Sequence, residues 1–320
     1  MAPFALDPTA GPIAIAVSGG PDSMALVRLA KEWADIRGAS IVGLTVDHQL
    51  RPEAEAEAEQ VSRWLNSLGI EHHVLEWEHG ARVRRIARSA QNDARTARFD
   101  LLCTWCERAG AQALMTAHHA DDQVETFLDR LIRGSGLDGL AAMAPDSRRH
   151  GVRILRPLLE FTKQDLIETC AKFGQACISD PSNEDSKYKR VRMRRLLIAF
   201  EQEGLDRSRI LKTVGHMRRA KQAIDSAVDK LSLRAINREK ESAVRIDVGR
   251  LISAPHEVGL RCLARCLADI SGEIYAPRFD SLTAVYDALA HGAWSDRTLH
   301  GCHLQVRDGV LVISVEPGRK

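Results

Sequence analysis

Several short stretches of this chain gather residues that can do chemistry. The first is Ser18-Gly19-Gly20-Pro21-Asp22-Ser23, set between an apolar run, IAIAV (13–17), and an amphipathic segment with helical patterning. A buried strand that ends in a glycine turn and opens a helix is a phosphate cradle. Glycine lets the backbone come close to an anion, and the first helical N–H groups point at it with the positive end of the helix dipole behind them. Ser18 and Ser23 add hydroxyl donors. The turn has no Gly-Lys-Ser/Thr and no G-x-G-x-x-G, so it is neither the usual mononucleotide loop nor the dinucleotide fingerprint. Asp22 is the informative residue. An acid beside phosphates repels them unless a cation lies between, and Mg²⁺ accepts one or two carboxylates together with phosphate oxygens. The competing reading is that Asp22 merely caps the helix.

Further along, Val46-Asp47-His48-Gln49-Leu50-Arg51 closes a second apolar run, which would bring Asp47 and His48 near the opening turn. In Ala117-His118-His119-Ala120-Asp121-Asp122-Gln123-Val124-Glu125-Thr126, two histidines and three acids fall within eight residues. Asp122 and Glu125, three apart, would share one helix face, with Asp121 pointing elsewhere as a cap. Two clustered carboxylates can hold an ammonium group or a metal. The spacing is not H-E-x-x-H, which argues against zinc. Then Arg133-Gly134-Ser135-Gly136, in LIRGSGLDGL, resembles a backbone loop built for close approach, since a plain helix C-cap needs one glycine. Two basic clusters suit phosphate contacts: arginines at 82, 84, 85, 88, 95 and 98, and KYKRVRMRR at 187–195.

The elements that must position these residues alternate. Strands are expected at 13–17, 40–46, 72–77, 113–117 and 153–159, with helices at 22–37, 52–68, 90–109 and 121–133. Strict alternation implies a parallel sheet covered on both faces, a doubly wound α/β fold of five strands. The polar stretch 174–190 breaks this pattern. Beyond it a helix is expected at 206–231, a short strand in SAVRIDVGRLI, helices at 256–270 and 278–290, and a hairpin at 304–315 turning on Asp308-Gly309. We therefore expect two domains, 1–205 and a smaller α+β domain at 206–320. Charge is nearly balanced at +2, so nucleic-acid contacts must be local. The N-terminus has no signal-peptide pattern and no apolar run suffices for a membrane span, so a cytoplasmic protein is expected. Seven cysteines then read as reduced thiols. Cys103 and Cys106 form the one C-x-x-C, while Cys262 and Cys266 look like packing residues.

SGGPDS after a strand resembles the signature of the ATP pyrophosphatases, which adenylate a carbonyl-type oxygen and release pyrophosphate. Taken in order, SGGPDS, VDHQLR, DARTARFD, AHHADDQVET, LIRGSGLDGLAAM, RPLL and DPSNEDSKYKRVRMR resemble the tRNA(Ile)-lysidine synthetase family from residue 18 to about 195. The resemblance implies an adenine-nucleotide alpha-hydrolase-like fold and ligation of L-lysine to C2 of the wobble cytidine of a tRNA(Ile) with a CAU anticodon. ATP and Mg²⁺ would be required, with no DNA or membrane partner.

It also implies roles. Ser18, Gly19, Gly20, Pro21, Asp22, Ser23, Asp47, His48 and Arg95 would bind ATP, with Asp22 on the metal. Asp122 and Glu125 would bind lysine. His118 and Arg190 would support adenylation. Arg98, Arg133, Gly134, Ser135, Gly136 and Arg194 would contact tRNA, as would the C-terminal domain. The chain departs from the family pattern at Val191, where asparagine is usual, at Phe99, where tyrosine is usual, and in lacking a proline soon after Leu196-Leu197. Two alternatives stand beside this reading: a tRNA 2-thiolating relative using Cys103 and Cys106, or a non-catalytic RNA- or nucleotide-binding protein.

Overall fold

The computed structural model describes residues 4–47, 54–76, 90–178, 189–240, 243–273 and 277–316. They divide into two compact units, with the boundary between Met217 and Arg218.

The first unit runs β1 (Ile13–Ala16), α1 (Pro21–Arg37), β2 (Ile41–Asp47), α2 (Ala54–Ser67), β3 (Glu71–Glu76), α3 (Ala90–Arg108), β4 (Ala113–Met115), α4 (Ala120–Ile132), α5 (Leu137–Leu140), β5 (Asp146–Arg149), β6 (Val152–Leu155), α6 (Lys163–Lys172) and α7 (Lys189–Gln202). The sheet order is β3-β2-β1-β4-β6-β5. Five strands are parallel and fall where the sequence places them; β5 is a sixth, antiparallel to β6. Its sequence, Asp-Ser-Arg-Arg, alternates between exposed and half-buried positions. A short, charged edge strand blunts the open side of a sheet and carries no hydrophobic signal, which is why it reads as a loop.

Burial explains the strand patterns. Ile13 and Ile15 face one side of the sheet, against α1, Leu65 of α2 and Leu166 of α6. Ala14, Val42, Leu44 and Leu114 face the other, against Phe99, Leu102, Cys103 and Cys106 of α3. With both faces covered, the strands are continuous apolar runs rather than alternating ones. Truncating a fully buried side chain such as Ile15 to alanine would cost about 2–5 kcal/mol. Helix α1 begins at Pro21, a favoured first-turn residue, and ends at Gly38, whose left-handed φ of 66° lets its N–H close on the Ala34 carbonyl.

β1 and β4 are neighbours at the centre, and the chain leaves β1 in one lateral direction and β4 in the other. Their carboxyl ends form the switch point where open α/β sheets place ligands. The Ser18–Ser23 turn follows β1, and the His118–Glu125 segment follows β4. Val124, Phe127 and Leu128 on α4 pack with Met193 and Leu197 of α7 and with Ile210 and Val214 of α8 (Arg207–Ala235), which seats the start of α8 in this unit.

The second unit carries a five-stranded antiparallel sheet, ordered β7-β8-β11-β10-β9. Its strands are β7 (Ile236–Lys240), β8 (Ala243–Asp247), β9 (Arg297–Leu299), β10 (Cys302–Arg307) and β11 (Val310–Val315), with helices α9 (Val248–Ser253), α10 (His256–Ser271) and α11 (Phe279–Ala290). Val244, Ile246, Leu304, Leu311 and Ile313 bury against Leu263 and Leu267 of α10 and Val285 of α11, and Cys262 and Cys266 are buried in the same core. The β10–β11 hairpin turns on Asp308 and Gly309, with φ of 50° and 75°, the double positive φ of a type I′ turn. No described helix is long and apolar enough to cross a membrane.

Candidate active site

The turn after β1 is held from within. Gly19 has φ of 80°, and a Cβ there would lie 2.4 Å from Cδ1 of Ile178 and 2.9 Å from Cγ2 of Val61. Its carbonyl accepts from Ile178 N at 2.9 Å. Only glycine fits both the dihedral and the space. Gly19→Ala should therefore lower the melting temperature and reduce nucleotide affinity together. A thermal melt with and without ATP measures both, and an unchanged ATP-induced shift would show that the turn does not touch nucleotide.

Ser23 is buried. Its hydroxyl donates to Gly20 O at 3.0 Å and accepts from Ser18 N at 3.2 Å, so in this state it braces the turn rather than facing a ligand. Helix α1 has Gly20 as N-cap and no side-chain cap, so Asp22 is not the cap. Ser18 is exposed and the helix start has no side-chain cap, which leaves N–H groups open to an anion as a phosphate cradle requires.

Asp22 is instead at the centre of a charge cluster. Lys163, at the start of α6, donates from Nζ to its two oxygens at 3.0 and 3.2 Å. His119 Nε2 lies 3.7 Å from Asp22 Oδ2 and 3.5 Å from Asp122 Oδ2, and its Nδ1 lies 3.4 Å from Asp121 Oδ2. His119 is the N-cap of α4 and is only 4% exposed. Burial opposes a charge on its ring, but the Asp121, Asp122 and Asp22 carboxylates outweigh burial and raise its pKa. Asp121 has the complementary environment: burial raises its pKa, yet the His119 contact, the Lys163 backbone N–H and Arg207 bring it down to about 2.

The two neighbouring aspartates divide their work differently from the expectation. Asp122, not Asp121, completes the capping box, its Oδ2 accepting from His119 N at 3.1 Å. Asp121 accepts from Lys163 N at 2.9 Å and meets Arg207 Nε at 2.6 Å. With Glu125 it lines a cavity of about 240 Å³, whose other walls are Val124, Leu128, Met193 and Leu197, with Lys163 and Arg207 at its polar end. The residues 121, 124, 125 and 128 are one helical face. Asp122, three residues before Glu125, does not line the cavity and shares His119 Nε2 with Asp22.

His118 is half-buried with Nδ1 2.9 Å from Thr116 Oγ1. Asp47 ends β2, half-buried. Gln123, 1% exposed, exchanges two hydrogen bonds with the backbone of Met143, at 2.9 and 2.8 Å, pinning the segment after the glycine loop to α4. In that loop Gly134 adopts φ of 67°, Gly136 caps α5, and a Cβ on Gly139 would meet Ser135 Cβ at 2.5 Å. All three glycines thus have structural work, while the exposed Arg133 reaches Asp129 at 3.3 Å. Arg98 lies 5.9 Å from the ring centre of Phe99, which is itself buried against the sheet. His48 lies outside the described residues, and the side chains of Arg95, Arg190 and Arg194 lie outside the described ones.

Cys103 and Cys106 are both buried in α3, and burial pushes the Cys106 thiol up to about 12 and that of Cys103 upward as well. They are packing thiols, not exposed thiolates poised for sulfur chemistry. Among the described residues no cluster of three or more His, Cys, Asp or Glu side chains could hold a metal on its own.

Residues 2–201 match the PP-loop domain family. A tRNA(Ile)-lysidine synthase from Wolbachia pipientis wMel is 37% identical over 94% of this chain and 70% of that protein. Another, from Methylobacterium nodulans, is 38% identical over 97% of this chain and 92% of that protein. The chain belongs to the tRNA(Ile)-lysidine synthase family. Among solved structures, a U34-tRNA thiolase from Methanococcus maripaludis shares the fold, with a TM-score of 0.56 at 15% identity, covering 65% of this chain and 71% of that one.

For a member of the lysidine synthase family, three residues of the cluster carry no obvious sequence signal. His119 sits beside the more conspicuous His118, and a histidine N-cap is unusual. Lys163 lies four residues past RPLL, in a segment with no motif of its own. Arg207 falls just beyond the expected domain boundary at 205/206, whereas the first unit extends to Met217.

Proposed function

We propose that this ligase joins L-lysine to C2 of the wobble cytidine of a CAU-anticodon tRNA(Ile) in two steps, in the cytoplasm. The cytidine C2 oxygen attacks the α-phosphorus of ATP and pyrophosphate leaves. The ε-amine of lysine then attacks C2, the C2–O bond breaks, and AMP departs with that oxygen while the nitrogen loses its proton. The observation that carries this reading is the juxtaposition at the switch point. A phosphate-type turn and an acidic helix face are tied together through Asp22, Lys163, His119 and Asp121.

Asp22 is a partly exposed carboxylate on the phosphate turn, with its oxygens facing a cation. That is a fitting donor for Mg²⁺ shared with a triphosphate, and no larger ligand cluster among the described residues makes it a resident site. The metal, when bound with ATP, would neutralise phosphate charge. The chain's own residues do the rest. Gly19, Gly20 and the α1 N-terminus bind phosphates, with Ser18, Pro21, Asp47, His48 and Arg95 around the nucleotide. His118, with Arg190, supports the oxygen–phosphorus step. Asp122 and Glu125 bind lysine as a cation, and one of them takes the proton as the amine attacks. Arg98, Arg133–Gly136, Arg194 and the C-terminal unit hold the tRNA, an attachment that added salt should weaken steeply. The thiolating alternative gains nothing from Cys103 and Cys106, which are buried.

The test is amine-specific. Asp122→Asn and Glu125→Gln should each raise the KM for lysine by roughly 10- to 100-fold, as loss of a charged hydrogen bond does, with KM for ATP nearly constant. Adenylated tRNA should accumulate at low lysine. Unchanged lysine dependence in both variants would remove this acid pair from the reaction.

A further inference from the structure

We infer that Arg207, paired with Asp121, clamps the α-amino acid head group of the incoming amine substrate and makes the enzyme selective for an amino acid over a simple amine. The inference rests on the lysine reading above and names a residue that reading does not use.

The cavity beside the turn has two chemistries. Val124, Leu128, Met193 and Leu197 supply an apolar wall, and Asp121, Glu125, Lys163 and Arg207 supply two negative and two positive groups. A nucleotide phosphate would not choose a pocket with two carboxylates, and a hydrocarbon would not choose one with four charges. A ligand with an aliphatic stem and a zwitterionic head satisfies both. Arg207 and Asp121 are the matching pair for that head: guanidinium for carboxylate, carboxylate for ammonium.

Their present contact does not use up the arginine. Arg207 Nε and Asp121 Oδ1 form an ion pair at 2.6 Å, while the Arg207 side chain is 41% exposed. A guanidinium has five N–H donors, so those beyond Nε can take a bound carboxylate. Lys163 spans the two halves of the site: its backbone N–H is on Asp121 while its Nζ is on Asp22. The cavity is thus joined to the phosphate turn by one residue. A head group seated at Arg207 and Asp121 leaves the far amine of the substrate free to extend toward the reacting carbon.

The experiment compares L-lysine with L-lysinamide, which keeps both amines and lacks the carboxylate, in tRNA-dependent AMP release. Wild type should show a KM for lysinamide about 10- to 100-fold above that for lysine, the size of one charged hydrogen-bonding group. Arg207→Gln should raise the lysine KM to near the lysinamide value and leave the lysinamide KM within about twofold. Arg207→Lys, which keeps the charge but not the fork, should recover part of the discrimination. Equal loss toward both amines in Arg207→Gln, or no discrimination by wild type, would overturn the clamp. The wild-type comparison needs no variant to fold. A wild-type enzyme that uses neither amine, yet releases AMP with tRNA and another nucleophile, would instead overturn the lysine reading itself.

Discussion

Asp22→Asn should lower AMP formation by roughly two to three orders of magnitude while leaving the fold intact. The carboxylate is the acidic group on the phosphate turn and lies at the crossing of Lys163 and His119. An amide of the same shape keeps the packing but neither attracts a cation nor compensates the charge of Lys163. Loss of one preorganised charge from a phosphoryl-transfer site lowers turnover by roughly two to three orders of magnitude. The stability cost should be small, because the Asp22–Lys163 pair is partly exposed, with side-chain exposures of 27% and 38%, and such pairs contribute about 1 kcal/mol or less. Pyrophosphate release at saturating tRNA, lysine and ATP, alongside a thermal melt, separates the two. Turnover within a few-fold of wild type would reduce Asp22 to the structural partner of Lys163.

The second large effect belongs to His119. Its ring is buried among Asp22, Asp121 and Asp122 and caps α4. His119→Leu removes the cap and leaves three carboxylates converging on an apolar side chain. Together these should cost roughly 2–4 kcal/mol. The cost should depend on pH. Because the carboxylates raise the folded-state pKa of His119, its stabilisation is complete below its ordinary value near 6.5 and fades as pH rises through the higher folded value. Asp121, lowered to about 2, stabilises above its ordinary value and loses this only in strong acid. The melting-temperature gap between wild type and His119→Leu should therefore be widest near pH 5–6 and narrow toward pH 9. A gap that does not change with pH would mean that His119 is a neutral packing residue.

The ring has two ways of meeting this environment. As a neutral group its Nδ1 accepts from Asp121 N at 3.3 Å; with a second proton the same nitrogen can donate to Asp121 Oδ2 at 3.4 Å. The cap and the ion pair are alternatives at one atom, so protonation exchanges one for the other at the centre of the site.

What could be read from sequence was what chemistry makes local. IAIAV followed by SGGPDS announces strand, turn and helix within a dozen residues, and Asp308-Gly309 between two apolar alternations fixes a hairpin register. The acids after β4 are legible for the same reason. What could not be read depends on distant approach. Lys163 meets Asp22 across 141 positions, and Arg207 meets Asp121 across a helix junction that looks like a domain edge in composition. The capping reversal of Asp121 and Asp122 was hidden because it turns on which of two adjacent acids reaches back to the His119 N–H, a choice made by the helix start rather than by residue type. β5 was hidden because an edge strand of Asp, Ser and Arg has nothing to bury.

The central claim is that this phosphate turn and this acidic face together attach lysine to a tRNA base. It is tested most directly by incorporation of labelled L-lysine into unmodified CAU-anticodon tRNA(Ile), with ATP and Mg²⁺ present or withheld and elongator methionine tRNA as the control. ATP-dependent label in the isoleucine tRNA alone is the predicted result. AMP formed with that tRNA but without stable label would contradict the account, because the same turn would then be activating the base for a different nucleophile.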